Sequence, residues 1–249
     1  MLEEAAKALS NLESVTGGLV FTPLGAPVEV GWRTPPDSRD QFSGFLQSAV
    51  EVYLTPVGVT VGGSRLRAAG DLTARLLREF GGIGQAAAIE ITSGSDGGVV
   101  ARAVRPPTPR SFNEDVHGGE VEGLSVARNG EVCAWATLRR DNFGAVVDAL
   151  SLAEAATHLV VLAGRTLGEL LGETSIPVVP SVAVTGATTV NVGRPDVDGN
   201  RSSSTMARRG LSTIALPGDE SAVLSAVVTG APDVAAELGA RAEHALRNR

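Results

Sequence analysis

Two short alternating segments joined by Asn129-Gly130 constrain the fold of this chain more than any other feature of its sequence. Leu124–Arg128 and Glu131–Leu138 alternate apolar and polar residues on either side of this pair. Such alternation indicates strands with one buried face. Asn-Gly favours a two-residue type I′ turn, because both central residues of that turn need positive φ. The segment therefore predicts an antiparallel β-hairpin.

The residues that follow this hairpin are predicted to form a helix. Asp141 can cap it, and apolar residues then recur at helical spacing: Phe143, Val146, Val147 and Leu150. Beyond this point two interpretations remain open. The helix runs on to Gly172, as the alanine-rich flank favours, or Leu159–Ala163 is a buried strand, as its β-branched residues favour. We expect the continuous helix and keep the strand as the alternative.

Hairpins and helices recur along the rest of the chain. The predicted elements are hairpins of 87–92 with 99–104 and of 178–185 with 188–192, a strand at 211–216, and helices at 1–15, 64–80, 219–228 and 232–249. Ser64 and Asp219 are the predicted caps of two of these helices. Together the elements predict an α+β fold, with several antiparallel β-hairpins and about five helices packed on one side of the sheet or sheets. The fold class becomes α/β if Leu159–Ala163 is a strand.

The chain has 249 residues, which is long enough for one large domain or two smaller ones. We expect an N-terminal α+β region at 1–104, an irregular loop or linker at 105–119 and a C-terminal α+β region at 120–249. A single domain that includes all three is the other possibility.

Charge and composition argue against several classes of function. The net charge of −7 repels nucleic acid unless basic residues gather on one face. The single cysteine, Cys133, allows neither an internal disulfide nor a cysteine metal cluster. The single lysine, Lys7, lies in the first predicted helix, which argues against P-loop and Schiff-base chemistry. No signal peptide and no membrane span is predicted, so we expect a cytoplasmic protein that does not bind membranes.

A histidine and two carboxylates lie together in the long predicted loop at 105–119. His117 follows Glu114 and Asp115, and a carboxylate–imidazole pair can act in acid–base catalysis. An ordinary polar surface loop has the same composition. The three histidines of the chain lack metal-ligand spacing, so neither a metal nor a cofactor is predicted.

Residues 193–210 form a second long predicted loop, which is rich in hydroxyl and arginine side chains. Such side chains can bind phosphate through charge-assisted hydrogen bonds. A solvated loop of serine, glycine and arginine is the competing interpretation. The candidate residues for binding phosphate or another ligand are Arg201, Ser203, Ser204, Arg208 and Arg209.

The predicted helix at 64–80 carries the most concentrated basic face of this acidic chain. Arg67, Arg75 and Arg78 lie on it, with Asp71 among them. Arginines arranged in this way can contact a nucleic-acid backbone without reading its sequence. The competing interpretation is an ordinary solvated helix face.

Three functions remain open. We expect a non-catalytic binding or assembly protein that associates with itself or with a protein partner, in a homo-oligomer or a larger complex, because no complete catalytic motif is present. The small residues Gly164, Gly168 and Gly172 would also let another backbone approach closely. One alternative is an enzyme that acts on a phosphorylated or acidic ligand through the Arg201–Arg209 loop and His117. The other is a nucleic-acid-associated ring or clamp that uses the basic helix face.

Overall fold

The structure of the protein is a computed structural model. It describes residues 18–33, 48–81, 88–94, 96–104, 120–138, 140–141, 144–185, 190–193 and 214–248. No helix within these ranges is long and apolar enough to cross a membrane.

Nine of the described strands form one antiparallel sheet, in the order β1-β12-β9-β2-β6-β5-β4-β3, with β11 paired to β9. Strands from both sides of residues 105–119 therefore share this sheet. The strands are β1 (Thr22–Pro23), β2 (Ala49–Pro56), β3 (Ala88–Ser93), β4 (Val99–Val104), β5 (Val121–Val126), β6 (Val132–Thr137), β9 (Pro177–Thr185), β11 (Ile214–Leu216) and β12 (Glu220–Val223).

Three further strands form a small second sheet: β7 (Arg140–Asp141), β8 (Gly144–Val147) and β10 (Val190–Val192). β10 pairs with β8 in parallel, with Asn191 opposite Val146. The predicted hairpin of 178–185 with 188–192 is therefore wrong. Its first half is β9 of the main sheet, and its second half joins a different sheet.

Four helices lie within the described residues: α1 (Gly63–Phe80), α2 (Ala149–Leu171), α3 (Leu224–Thr229) and α4 (Ala231–Arg247). The α+β fold class is confirmed, whereas the predicted number of about five helices is slightly too high for this part of the chain. The helix predicted at 1–15 lies outside the described residues. Residues 220–223, predicted as helix, form β12 instead, and the cap predicted at Asp219 is wrong.

The helix α2 contains Leu159–Ala163, so the continuous helix is confirmed and the strand alternative is wrong. Its predicted start at Asp141 is also wrong. The side chain of Asp148 accepts a hydrogen bond from the Ser151 N–H, and the Ser151 hydroxyl accepts one from the Asp148 N–H. This reciprocal cap satisfies two backbone donors and sets the start of the helix at Ala149.

Small residues bring other helices close to α2. A Cβ at Gly164 would overlap Val228 of α3, and a Cβ at Gly239 of α4 would lie 2.8 Å from the Ala149 carbonyl oxygen. Gly168 also faces α3, because its Cβ would lie 3.9 Å from Leu224. Within the described residues, Gly164 and Gly168 thus serve packing inside this chain, which weakens one of the reasons for expecting self-association.

The two predicted hairpins formed by β3 with β4 and by β5 with β6 are confirmed. The turn predicted at Asn129-Gly130 differs in type. The Gly130 N–H donates to the Ala127 carbonyl, and the Ala127 N–H donates to the Glu131 carbonyl, so the loop has three residues instead of two. Gly130 has a φ of 91°. Such a loop carries its glycine in the left-handed position of a bulge.

The helix α1 confirms the helix predicted at 64–80, apart from its cap. Gly62 takes the N-cap position without a side-chain hydrogen bond, so the prediction of Ser64 as the cap is wrong. Gly81 ends the helix, and its N–H bonds to the Leu77 carbonyl.

The two faces of β2 lie in different surroundings. Val50, Val52 and Leu54 point into the large apolar core that the helices share with the sheet. The residues between them point to the opposite face, which therefore receives Glu51 and Tyr53.

Candidate functional site

A segment that we name the strap, residues 24–33, covers the face of the sheet opposite the helices. Its Leu24 and Val28 N–H groups donate to the carbonyls of Asp219 and Gly218. Farther along, the Gly31 N–H donates to Glu131 Oε1 at 3.1 Å. The side chain of Val30 packs in a buried cluster with four residues of the sheet: Tyr53, Cys133, Trp135 and Ala183.

The strap ends in a buried polar network centred on the Glu51 carboxylate. Arg33 donates to Glu51 Oε1 from Nε at 2.9 Å and from Nη2 at 2.6 Å. The Thr185 hydroxyl donates to the same oxygen at 2.9 Å, and the Tyr53 hydroxyl donates to Oε2 at 2.5 Å. The Tyr53 oxygen in turn accepts from the Arg33 N–H at 2.8 Å. We name Arg33, Glu51, Tyr53 and Thr185 the Glu51 network.

Three aromatic rings, those of Trp32, Tyr53 and Trp135, lie around the Glu51 network, and one of them contacts Arg33. Its guanidinium carbon lies 4.7 Å from the centre of the Trp135 ring, a distance at which a cation is attracted to an indole. The Trp135 ring lies across Gly123 of β5, where a Cβ would overlap it. Trp32 of the strap meets Tyr53 edge to face at 5.0 Å between ring centres.

The buried groups that could act as nucleophiles are held in their protonated forms. Burial raises the pKa of the Tyr53 hydroxyl, and the nearby Cys133 and Glu51 raise it further. Burial also raises the pKa of the Cys133 thiol well above 9.0. Because the thiolate and not the thiol is the reactive form, Cys133 is expected to be inert.

The Glu51 network is closed on itself. No buried side-chain nitrogen or oxygen lacks a hydrogen-bond partner within the part of the chain that the structure describes. The same ranges hold no group of three or more histidine, cysteine or acidic residues that could bind a metal ion. The arrangement fastens the strap to the sheet, and it offers no unpaired buried group for a substrate.

The sequence did not single out Glu51, Tyr53 and Arg33, although part of the signal was present. The alternation along Ala49–Pro56 places Glu51, Tyr53 and Thr55 on one face of a single strand. The partner of Arg33 in the network, Glu51, lies 18 positions farther along the chain. Sequence spacing alone does not show such a contact.

Most of the sequence-predicted site residues lie outside the described part of the chain. Neither the predicted acid–base group, Glu114, Asp115 and His117, nor the predicted phosphate group has a described position, so both stay predictions. The phosphate group consists of Arg201, Ser203, Ser204, Arg208 and Arg209.

The basic face of α1 is only partly available. Arg67, Arg75 and Arg78 are all exposed. Arg75 pairs with Glu79 on its own helix at 3.0 Å and with Glu169 of α2. One of the three predicted backbone-binding arginines is therefore already engaged by two carboxylates. Arg67 and Arg78 form no ion pair with any described residue.

The strand β3 forms one end of the main sheet and pairs on one side only among the described residues, with β4. The Gly94 N–H donates to the Gly98 carbonyl. Because inward and outward hydrogen bonding alternates along an antiparallel pair, Glu90 and Thr92 bond to β4. The backbone groups of Ile89, Ile91 and Ser93 therefore point outward. We name these outward groups the β3 edge.

β3 carries few of the features that usually prevent strand pairing, and Glu90 is its one charged residue. It spans six residues, contains no proline and no lysine, and leaves Ile91 47% exposed. The opposite end of the sheet is β1, which has two residues and includes Pro23. Proteins commonly protect edges with short strands, proline or lysine. β1 follows that rule, whereas β3 does not.

Comparison with known proteins adds no identification: no protein-family model matches this chain, and no curated protein matches it.

Proposed function

We propose that this protein is a non-catalytic binding or assembly protein, and that it joins a partner by adding an extended strand of that partner to the β3 edge. The observation that carries the proposal is this long and partly apolar edge, which has no partner strand on its outer side among the described residues. An added strand would form main-chain hydrogen bonds with Ile89, Ile91 and Ser93, and alternate side chains would supply specificity.

The closed Glu51 network supports the non-catalytic part of the proposal. Catalysis by general acids, bases or nucleophiles needs a group that can reach a substrate. Glu51 and Tyr53 are fully buried and are occupied by each other, by Arg33 and by Thr185. A cluster of this kind rigidifies the sheet and leaves the surface of the protein to make contacts.

Residue-resolved amide hydrogen exchange tests the proposal. Nonapeptides that bind the protein would be selected from a randomised library and added in excess. We expect the amides of Ile89, Ile91 and Ser93 to exchange fast in the free protein and to become protected when a peptide binds. Glu90 and Thr92 already bond to β4 and serve as internal references. Selected peptides that leave the three outward amides exchanging at the free rate would contradict strand addition.

Two variants of one residue form the matched control. Ile91→Pro removes an outward N–H while leaving the inward hydrogen bonds to β4 in place. Ile91→Val keeps the N–H and the β-branched side chain. We expect the first variant to lose the selected peptides and the second to keep them. Light scattering over a range of concentrations shows whether a second copy of the chain occupies the same edge.

A further inference from the structure

We infer that the strand added to β3 is an acidic segment of another protein, with β-branched apolar residues in its middle and carboxylates toward its ends, on the side that faces α1. This inference rests on the strand addition proposed above. It concerns the chemistry of the partner, which the open edge alone does not define.

The apolar part of the inference follows from Ile91 and the helix beside it. A Cβ at Gly70 of α1 would lie 3.4 Å from Ile91 Cγ2, so Ile91 points to the side of the sheet that α1 covers. An added strand places every second side chain on that same side, next to Ile91. β-Branched side chains are favoured in such cross-strand contacts.

The acidic part follows from two arginines on the same side of α1 as Gly70. Arg67 comes three residues before Gly70 and Arg78 eight residues after it, and both spacings return to one side of an α-helix. Both arginines are exposed, and neither forms an ion pair with a described carboxylate, including the exposed Asp71 that lies between them along the helix. Eleven residues of helix separate them by about 16 Å. A six-residue strand spans roughly 20 Å, so two carboxylates near the ends of an added strand are spaced on the same scale as the two arginines.

The same charges argue against a second copy of this chain as the occupant. Antiparallel pairing of β3 with β3 of another copy, about an axis perpendicular to the sheet, leaves both α1 helices on the same face. Arg67 and Arg78 of both copies then lie on one face of the joined sheet, and like charges on one face disfavour association. The carboxylates of an acidic segment from a different protein would instead be attracted by Arg67 and Arg78.

Three synthetic peptides of nine residues test the inference. All have threonine at odd positions and valine at positions four and six. They differ only at positions two and eight, which carry glutamate, glutamine or lysine. Binding of each fluorescently labelled peptide is measured by anisotropy at about 50 mM and about 500 mM salt, because screening weakens exposed charge pairs.

We expect the glutamate peptide to bind about tenfold more tightly than the glutamine peptide at low salt, which corresponds to about 1.4 kcal/mol. The lysine peptide should bind most weakly, and high salt should reduce the differences. Arg67→Gln combined with Arg78→Gln should bring the glutamate peptide to the affinity of the glutamine peptide. Arg75→Gln is the matched control, since Arg75 is already paired, and it should preserve the preference.

Other outcomes separate this inference from the proposed function. Equal binding of all three peptides, lost in Ile91→Pro, would overturn the acidic preference and leave strand addition standing. Binding by a glutamate peptide that is N-methylated at every residue would show that charge acts without strand pairing, which overturns both. Concentration-dependent protection of the β3 edge in the protein alone would identify a second copy as the occupant and overturn the inference.

Discussion

The central strand β2 and the edge strand β3 contain nearly the same three residues in opposite surroundings. Val50-Glu51-Val52 lies in the middle of the sheet, where Glu51 is fully buried. Ile89-Glu90-Ile91 lies at the end of the sheet, where Glu90 is exposed. Glu51 is bonded by Arg33, Tyr53 and Thr185, whereas Glu90 lies opposite Arg102 on the single neighbouring strand. Nearly the same local sequence thus binds the strap in β2, and in β3 lies at an end of the sheet that pairs on one side only within the described ranges.

The largest effect that tests this comparison is expected from removing the buried carboxylate. Glu51→Ala leaves the Arg33 guanidinium, partly buried at 25% exposure, without its counter-charge, and the Tyr53 and Thr185 hydroxyls without an acceptor. Breaking a buried pair by removing one partner costs about 3–5 kcal/mol. We expect that loss in the free energy of unfolding, measured by chemical denaturation.

The matched variant for this measurement is Glu90→Ala on β3. An exposed side chain on an edge strand should change the free energy of unfolding by no more than about 0.5 kcal/mol. Similar costs for the two variants would break the comparison, because they would mean that Glu51 contributes no more in the sheet centre than Glu90 does at the edge.

Sequence reasoning correctly predicted the elements whose stabilising contacts are local. The hairpin of β5 and β6 and the helix α1 follow from alternation, from a glycine at the turn and from a continuous apolar stripe. It did not distinguish Glu51 from Glu90, because Thr185 lies 134 positions from Glu51 in the chain. It also missed the parallel pairing of β8 with β10, since β10 lies beyond a whole helix and another strand.

An intermediate loss of stability is expected from a substitution at Gly123 of β5, which lies against the Trp135 ring. Gly123→Ala would push a methyl group into the Trp135 ring, which is buried and also contacts Arg33. Because the ring is buried, we expect a loss of about 1–3 kcal/mol in the free energy of unfolding, as for other overpacked sites. The near-ultraviolet circular dichroism of the tryptophans should change with it.

The control for this variant is Gly63→Ala, in the first turn of α1. No atom lies within 4 Å of a Cβ at this position, and alanine reduces the conformational freedom of the unfolded chain. We expect equal or slightly higher stability. A Gly123→Ala protein as stable as the Gly63→Ala protein would mean that the Trp135 ring is not held in place. The strap would then not pack tightly against the sheet.

The smallest effect is expected at Glu131, where the strap meets the β5–β6 hairpin. Burial raises the pKa of its carboxyl above 4.5, and hydrogen bonds from the Thr55 hydroxyl and the Gly31 N–H oppose the shift. The charged form is therefore less favourable in the folded state than in the unfolded chain. Stability from this group is present at acid pH and decreases as the pH rises from 4.5 through the raised folded pKa.

The variant Glu131→Gln tests this pH dependence. It keeps an acceptor for Gly31 and cannot ionise, so its free energy of unfolding relative to the natural protein should increase across that interval. A difference in the free energy of unfolding between the two proteins that stays constant from about pH 4 to about pH 8 would contradict this.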